Sequence, residues 1–396
     1  MYIKSFFLST IGNKKYNYYT YFFIKYVTSI ILLLTCRSLS VYSFYLRSFN
    51  PKHIKTSLRR FNWLLGFGFL NRFKIDDLTF DISTNLNIND LKFIYSKLRE
   101  KTTLSSRLNF DRLYIIARIV EYYARKKQIT NFDKYFNYFS KQYTEHIFDE
   151  NSYNLKEKIK INKTKDIGSY KAKKLLSESL KDLSMIFKND STFLAFGTLL
   201  GIIRDKGILK HDLDIDIGYI YSGKKKFNLF KKLLNELKNF VILYDDSLVF
   251  YKIKNNKINL IELPSLITLV HKNGTHVDVF ICHNKKTILN FYAKHFCWKN
   301  KNFTTKKINI NGDFYNVPSK PERYLRENYG DWLKPKKDYN LIRDSKNLSF
   351  SYNLSSVVAY TISLYLNYPC LSLVHDKLRQ EKILKKNMFN VSLFKR

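Results

Sequence analysis

The stretch Phe196–Gly218 reads FGTLLGIIRDKGILKHDLDIDIG and places three acidic residues, Asp212, Asp214 and Asp216, two positions apart. Polar and apolar residues alternate through this acidic run, which is the period of a β-strand. The three carboxylates are therefore expected on one face of a strand, with the intervening Leu and Ile side chains on the other. Like charges about 7 Å apart repel each other. The pattern therefore favours a site for a divalent cation over a solvated strand edge.

A second strand offers a further carboxylate. The segment THVDVFIC alternates in the same way and places Asp278 between two valines. The pattern after HDLDIDIG predicts a helix and then a hairpin. The chain between Asp214 and Asp278 is long enough to contain both. Asp278 is therefore expected beside the first strand as the third arm of a metal site.

The residues before the acidic run predict a phosphate-binding turn. Gly197 and Thr198 lie where a short apolar strand meets a helix, and backbone N–H groups at a helix start, with a glycine and a hydroxyl, favour phosphate. Arg204 and Lys206 follow and either neutralise a pyrophosphate or form solvated surface. Gly207 is expected to end the helix in a left-handed conformation.

The composition limits the class of partner. The chain has 396 residues with 69 Lys and Arg against 33 Asp and Glu, a formal net charge of +36, which favours anionic partners. No short signature of a nucleic-acid-binding module is present, so no specific nucleic-acid partner is predicted. The four cysteines show neither a CxxC pair nor zinc spacing and are typical of reduced thiols in the cytoplasm.

The chain divides into five parts on its sequence pattern. Residues 1–60 form a basic aromatic segment, 61–153 a helical region of unknown role, 154–172 a Lys-rich linker, 173–345 a catalytic domain and 346–396 a C-terminal extension. Residues 21–46 are apolar but interrupted by Lys25 and Arg37, which leaves three interpretations open. They are a membrane anchor, an interfacial segment or a core helix.

Three ordered blocks resemble the LicD/fukutin family, whose members have a nucleotidyltransferase-like fold. They are the stretch quoted first, HVDVF around Asp278, and VPSKPERYLRENYGDWLKP at Val317–Pro335. The last block resembles the family's ending through Pro318, Tyr324, Leu325, Tyr329, Gly330, Trp332 and Pro335. The resemblance covers 191–335. It implies an α+β fold of the polymerase β type, a mixed sheet flanked by helices, here preceded by a mainly helical N-terminal region.

The resemblance also implies an activity. Family members transfer a phospho-alcohol, such as phosphocholine or ribitol phosphate, from a CDP-linked donor to a sugar hydroxyl of a cell-surface glycan such as lipopolysaccharide or capsule. Asp214 and Asp216 would be the metal-binding Asp-x-Asp with Mg²⁺ or Mn²⁺, Asp212 an auxiliary carboxylate, and Asp278 a ligand or a base. Family members often have Pro-Trp where this chain has Lys210-His211. The donor or acceptor pocket is therefore expected to differ.

Two other functions remain open at this point. A nucleotidyltransferase would transfer a nucleotide from an NTP with the same carboxylates, and a basic binding protein would carry the site in degenerate form. The expected partners are a CDP-linked donor, a glycan or lipid-linked glycan acceptor, and the membrane as a peripheral contact. The expected location is the cytoplasm at the inner face of the membrane, with a Golgi-type membrane-anchored enzyme as the alternative.

Overall fold

Helices form wherever the sequence repeats apolar residues at three- and four-residue steps. The computed structural model describes residues 18–36, 88–99, 106–149, 170–209, 212, 214–293, 295–336 and 339–395. Its helices are α1 Tyr18–Cys36, α2 Ile88–Arg99, α3 Ser106–Arg125, α4 Ile129–Ile147, α5 Tyr170–Asp182, α6 Phe196–Arg204, α7 Lys224–Asn235, α8 Pro321–Tyr329, α9 Leu341–Asp344, α10 Leu354–Asn367, α11 Leu371–Gln380 and α12 Ser392–Lys395.

The strands follow the alternating segments of the sequence. They are β1 Thr192–Leu194, β2 Asp214–Ile220, β3 Phe240–Lys254, β4 Lys257–His271, β5 His276–Lys285, β6 Ile288–Ala293, β7 Phe296–Lys301, β8 Thr305–Ile310, β9 Asp313–Pro318, β10 Leu348–Phe350, β11 Leu384–Lys385 and β12 Met388–Phe389. Within the described residues, eight of them form one sheet in which β2 and β5 are parallel and the other pairs antiparallel. The mixed sheet and its helices confirm the predicted α+β class.

Local signals in the sequence explain several element ends. Pro321 occupies the first turn of α8, and Gly330 follows its last residue with φ 68°, a conformation that glycine adopts at little cost. Asn353 caps α10 by accepting the Ser356 N–H at 2.9 Å. The expectation for α6 was wrong, because its left-handed residue is Lys206 with φ 55° and not Gly207. The Gly207 N–H donates to the Gly201 carbonyl at 3.2 Å, so the chain after Lys206 folds back onto α6. The glycine itself does not adopt the left-handed conformation.

Two large hydrophobic cores and one small cluster, of Leu248, Tyr292 and Cys297, lie in the described chain. The first packs α5, α6, α7 and α8 against the central sheet, and its buried residues include Ile215, Ile217 and Val279. The second packs α3 and α4 against α10 and α11, with Ile24 of α1 and Leu91 of α2 among its buried residues. The segment that the sequence left as a C-terminal extension, 346–396, thus shares a core with the helices before the sheet.

Some sequence predictions fall on residues outside the described ranges. These are most of the predicted linker, at 154–169, the pair Lys210-His211, and the part of segment 21–46 that follows α1. Among the described residues, no helix has both the length and the hydropathy that crossing a bilayer requires.

Candidate active site at the β2–β5 edge

The parallel pairing of β2 and β5 brings two acidic strands together. Asp216 on β2 lies directly opposite Asp278 on β5, and Asp214 lies opposite His276. Neighbouring strands run about 4.8 Å apart, so these side chains share one small region of the sheet surface. The alternation that buries Ile215 between the acidic residues is what directs the carboxylates to one face.

Asp212 joins this group from outside the strand. The sequence predicted it as part of the strand, but β2 begins at Asp214, and Asp212 lies in a turn where its N–H donates to the Leu209 carbonyl at 3.3 Å. Its carboxylate nevertheless reaches the start of α6. A Cβ placed on Gly197 would lie 3.1 Å from Asp212 Oδ2 and 3.3 Å from Asp216 Oδ2. The two carboxylates therefore flank the same glycine.

The negative charges of the four carboxylates repel one another. Burial raises the pKa of Asp216 well above its ordinary value, and the charges of Asp214, Asp212 and Asp278 raise it further. The Gly197 N–H donates to Asp216 Oδ2 at 3.0 Å and acts in the opposite direction. Four acidic groups are thus held together at a cost in folding free energy, a pattern that is typical of functional sites.

Asp278 lies in a related environment. Burial raises the pKa of its carboxyl, although the Thr268 hydroxyl donates to Asp278 Oδ1 at 2.5 Å and lowers it. The charge of Asp214 raises the pKa further, and His276 lowers it. A carboxylate whose pKa is raised towards neutrality is better suited to accept a proton during a reaction.

Gly197 and Thr198 connect α6 to β2. The Thr198 hydroxyl is buried and accepts the backbone N–H of Asp216 at 2.9 Å, while the Gly197 N–H holds the carboxylate of the same residue. The structure therefore brings both predicted phosphate-binding residues to the carboxylate cluster. Their contact with a donor phosphate stays a prediction.

The residue that starts α6 has a strained backbone. Phe196 has φ 38°, which is rare for a bulky residue with a Cβ. Its ring packs against the rings of Phe280 and Trp298, with centroids 4.8 and 5.3 Å away. This packing holds the strained residue in place, and Gly197, the next residue, is thereby turned towards Asp216.

Arg204 and Lys206 lie at the other end of α6 from Gly197. Arg204 Nε donates to Asp205 Oδ1 at 2.7 Å, and Arg204 Nη1 donates to the Trp332 carbonyl at 3.2 Å. Lys206 is exposed, and its ammonium donates to the Ile203 carbonyl. The contact of either cation with a phosphate group stays a prediction.

Tyr329 is a site residue that the chemical interpretation of the sequence missed. Burial raises its pKa well above the ordinary value, the charges of Asp216 and Asp212 raise it further, and Arg204 lowers it. The raised pKa favours the protonated hydroxyl, which can donate a hydrogen bond. Tyr329 belongs to the Tyr-Gly pair of the family-like block, so the sequence did single it out. The sequence alone gives it no role, because that role depends on the packing of segments far apart in the chain.

Tyr324 and His276 were missed for a similar reason. Tyr324 is buried, and its hydroxyl oxygen lies 3.5 Å from the N–H of the strained Phe196. His276 precedes Asp278 by two residues on β5 and lies opposite Asp214, so it is expected on the acidic face. The alternation of HVDVF already predicts that His276 and Asp278 share one face of the strand.

The donor atoms of the cluster suit a hard divalent cation. In the part of the chain that the structure describes, no group of three or more His, Cys, Asp or Glu side chains is arranged as a metal-binding cluster. The four carboxylates nevertheless offer only oxygen ligands, which Mg²⁺ and Mn²⁺ prefer, and such a charge would relieve the repulsion that raises the pKa of Asp216. The residues present fit that ion by their chemistry.

Comparisons with known proteins show what the segment that holds the cluster is similar to. Residues 189–320 match the family model described as LicD/FKTN/FKRP, nucleotidyltransferase domain, and this range contains all four carboxylates. RT0683, an uncharacterized protein of Rickettsia typhi, is 28% identical over 171 residues, which are 41% of this chain and 48% of the relative. The similarity thus spans about half the length of that curated relative. Residues 189–320 therefore resemble the nucleotidyltransferase domain of the LicD family, and the rest of the chain lies outside that match.

Proposed function

We propose that the protein transfers a phospho-alcohol, such as phosphocholine or ribitol phosphate, from a CDP-linked donor to a sugar hydroxyl of a cell-surface glycan. The observation that carries the proposal is the convergence of four carboxylates inside the segment that matches the LicD family, with Asp212 and Asp216 beside Gly197 and with Asp216 opposite Asp278. The family match supports a phosphotransferase-type role in glycan modification. The nucleotidyltransferase-like fold of the polymerase β type is part of the same proposal.

The four carboxylates would have different roles in the reaction. Asp214 and Asp216 would hold Mg²⁺ or Mn²⁺, with Asp212 as an auxiliary ligand and Asp278 as a ligand or a base. When bound, the cation supplies positive charge against the donor's pyrophosphate and lowers the energy of the departing phosphate. Gly197 and Thr198 would position the donor phosphates at the start of α6, and Arg204 and Lys206 would meet the remaining negative charge.

The reaction requires a proton acceptor and a direction of attack. The acceptor hydroxyl loses its proton to Asp278, whose raised pKa favours that step. The hydroxyl oxygen then forms a bond to the phosphorus that carries the alcohol, and the P–O bond to CMP breaks in line with it. The Tyr329 hydroxyl, whose raised pKa favours the protonated form, would donate to an anionic oxygen.

One alternative enzyme would use the same carboxylates. A nucleotidyltransferase would transfer NMP from an NTP, so that the acceptor oxygen attacks the phosphorus next to the nucleoside and pyrophosphate leaves. The Tyr-Gly and Trp block around Tyr329 favours the first reaction, because it belongs to the family-like ending. A non-catalytic binding protein is the second alternative, and its activity would not need the carboxylates.

The products distinguish these functions. The full-length protein with Mg²⁺, CDP-choline or CDP-ribitol and a glycan acceptor is expected to release CMP in proportion to modified acceptor. Release of pyrophosphate from an NTP, without CMP from either donor, would favour nucleotidyl transfer. Asp214→Asn and Asp216→Asn should each lower the rate at least about 100-fold. Asp376→Asn, on the exposed face of α11, serves as the matched control.

A further inference from the structure

Helix α1 presents an apolar stripe to solvent. Phe23, Tyr26, Ile30 and Leu34 are all exposed, and their spacing of three, four and four residues places them along one side of the helix. Phe23 is 67% exposed and Leu34 is 71% exposed, so the stripe is open at both ends. Large apolar residues that line up in this way mark an interaction surface more often than scattered ones do.

The opposite side of α1 is packed. Ile24 is buried in the helical core, and Thr28 and Ser29 are also buried. Their hydroxyls donate to carbonyls of the same helix, Thr28 Oγ1 to Ile24 at 2.6 Å and Ser29 Oγ to Lys25 at 2.6 Å. The inward side therefore satisfies its own polar groups, and the packing fixes which side of the helix faces outwards.

The charge around α1 has one sign. Residues 1–75 contain twelve Lys and Arg and no Asp or Glu, whereas the whole chain has 33 acidic residues. Basic residues attract anionic lipid headgroups when they lie near a membrane surface. An apolar stripe rich in Phe, Tyr, Ile and Leu supplies the part that enters the boundary between headgroups and acyl chains.

We propose that α1 docks through the stripe of Phe23, Tyr26, Ile30 and Leu34 onto the surface of a lipid bilayer that contains anionic headgroups. The helix lies in the plane of the surface, with the stripe in the headgroup region. Protein partners and a second copy of the chain would not require the absence of acidic residues over this length. This inference does not depend on the proposed reaction.

The test is co-sedimentation of the full-length protein with vesicles. Vesicles of equal parts phosphatidylcholine and phosphatidylglycerol are compared with vesicles of phosphatidylcholine alone. The double variant Phe23→Glu and Leu34→Glu should bind the anionic vesicles at least about tenfold more weakly than wild type. The matched control is Phe314→Glu with Met388→Glu, since those side chains are 60% and 68% exposed on other surfaces. The control should bind as wild type does.

Salt and self-association complete the test. Binding of the wild-type protein should weaken as salt is added, because the basic residues supply part of the attraction. Equal binding to neutral and anionic vesicles would overturn the proposal, as would binding that the double variant retains. Sedimentation velocity without vesicles supplies the other outcome. A dimer that only Phe23→Glu and Leu34→Glu abolishes, in a protein that binds no vesicles, would assign the stripe to a second copy instead.

Discussion

The pKa of Asp216, one of the four carboxylates, is raised well above its ordinary value. Its raised pKa means that the folded chain binds the proton more tightly than the unfolded chain does. The contribution of Asp216 to the free energy of unfolding therefore falls as the pH rises from the unfolded pKa through the raised folded pKa. A carboxylate kept in such a position at neutral pH indicates that its charge is needed for something other than folding.

Asp216→Asn should therefore stabilise the protein while it abolishes activity. The amide removes the charge and retains an oxygen that can accept the Gly197 N–H. Urea unfolding at neutral pH, with divalent cations removed, should show a gain on the order of 1 kcal/mol. The gain should shrink at acidic pH, and Asp376→Asn should show neither effect. A variant less stable than wild type at neutral pH would contradict this electrostatic account.

Gly197 is required by the space that the carboxylates occupy. A methyl group at this position would lie 3.1 Å from Asp212 Oδ2 and 3.3 Å from Asp216 Oδ2, so Gly197→Ala must displace the carboxylates. Transferase activity is expected to fall at least about tenfold, because small displacements of reacting groups are costly. Gly207→Ala is the control, since a Cβ there meets no atom within 4 Å. Equal activity of the two variants would contradict the role of Gly197.

At the scale of elements, Thr198 connects α6 to β2. Thr198→Val keeps the shape of the side chain but removes the buried acceptor of the Asp216 N–H. The expected loss is about 1–3 kcal/mol in the free energy of unfolding, the cost of an unsatisfied buried donor. Thr198→Ser keeps the hydroxyl and should recover most of the loss. Equal stability of Val and Ser variants, measured by urea unfolding, would show that the bond is unimportant.

The elements around the site were largely predictable from local pattern. The alternation of DIDIG and HVDVF predicted β2 and β5, and Pro321 and Gly330 are residue types common at the start and the end of a helix such as α8. The parallel pairing that sets Asp216 opposite Asp278 could not be predicted from either strand alone, because register depends on contacts between segments far apart in sequence. The length of the chain between the strands predicted only that Asp278 would lie beside the first strand, without the direction or register of the pairing. The place of Tyr329 depended on the same long-range packing.

At the scale of the whole molecule, the helices before the sheet support those after it. Tyr143 on α4 hydrogen-bonds Thr361 on α10 at 2.7 Å, and the Tyr365 hydroxyl donates to the Ile147 carbonyl at 2.6 Å. Glu121 on α3 accepts the Ser355 N–H, which lies in the first turn of α10. The sequence divided these segments because it contains no local signal for a core that is assembled from both ends of the chain.

Residues 170–395 alone should therefore fail to form a stable, monodisperse protein. Helix α10 is buried along nearly its whole length, and removing α3 and α4 would expose its apolar side chains to water. Size-exclusion chromatography should show aggregates for this fragment and a single species for the full chain. A monodisperse fragment with a cooperative unfolding transition would contradict the shared core.

The central claim is that the carboxylates at the β2–β5 edge transfer a phospho-alcohol from a CDP-linked donor. The most direct measurement is CMP release from CDP-choline or CDP-ribitol by the full-length protein, with Mg²⁺ and a glycan acceptor, and with Asp214→Asn and Asp376→Asn in parallel. We expect CMP and modified glycan in equal amounts. Both products should be lost with Asp214→Asn or with removal of the cation, and both should be retained with Asp376→Asn. CMP formation that Asp214→Asn leaves unchanged would contradict the claim.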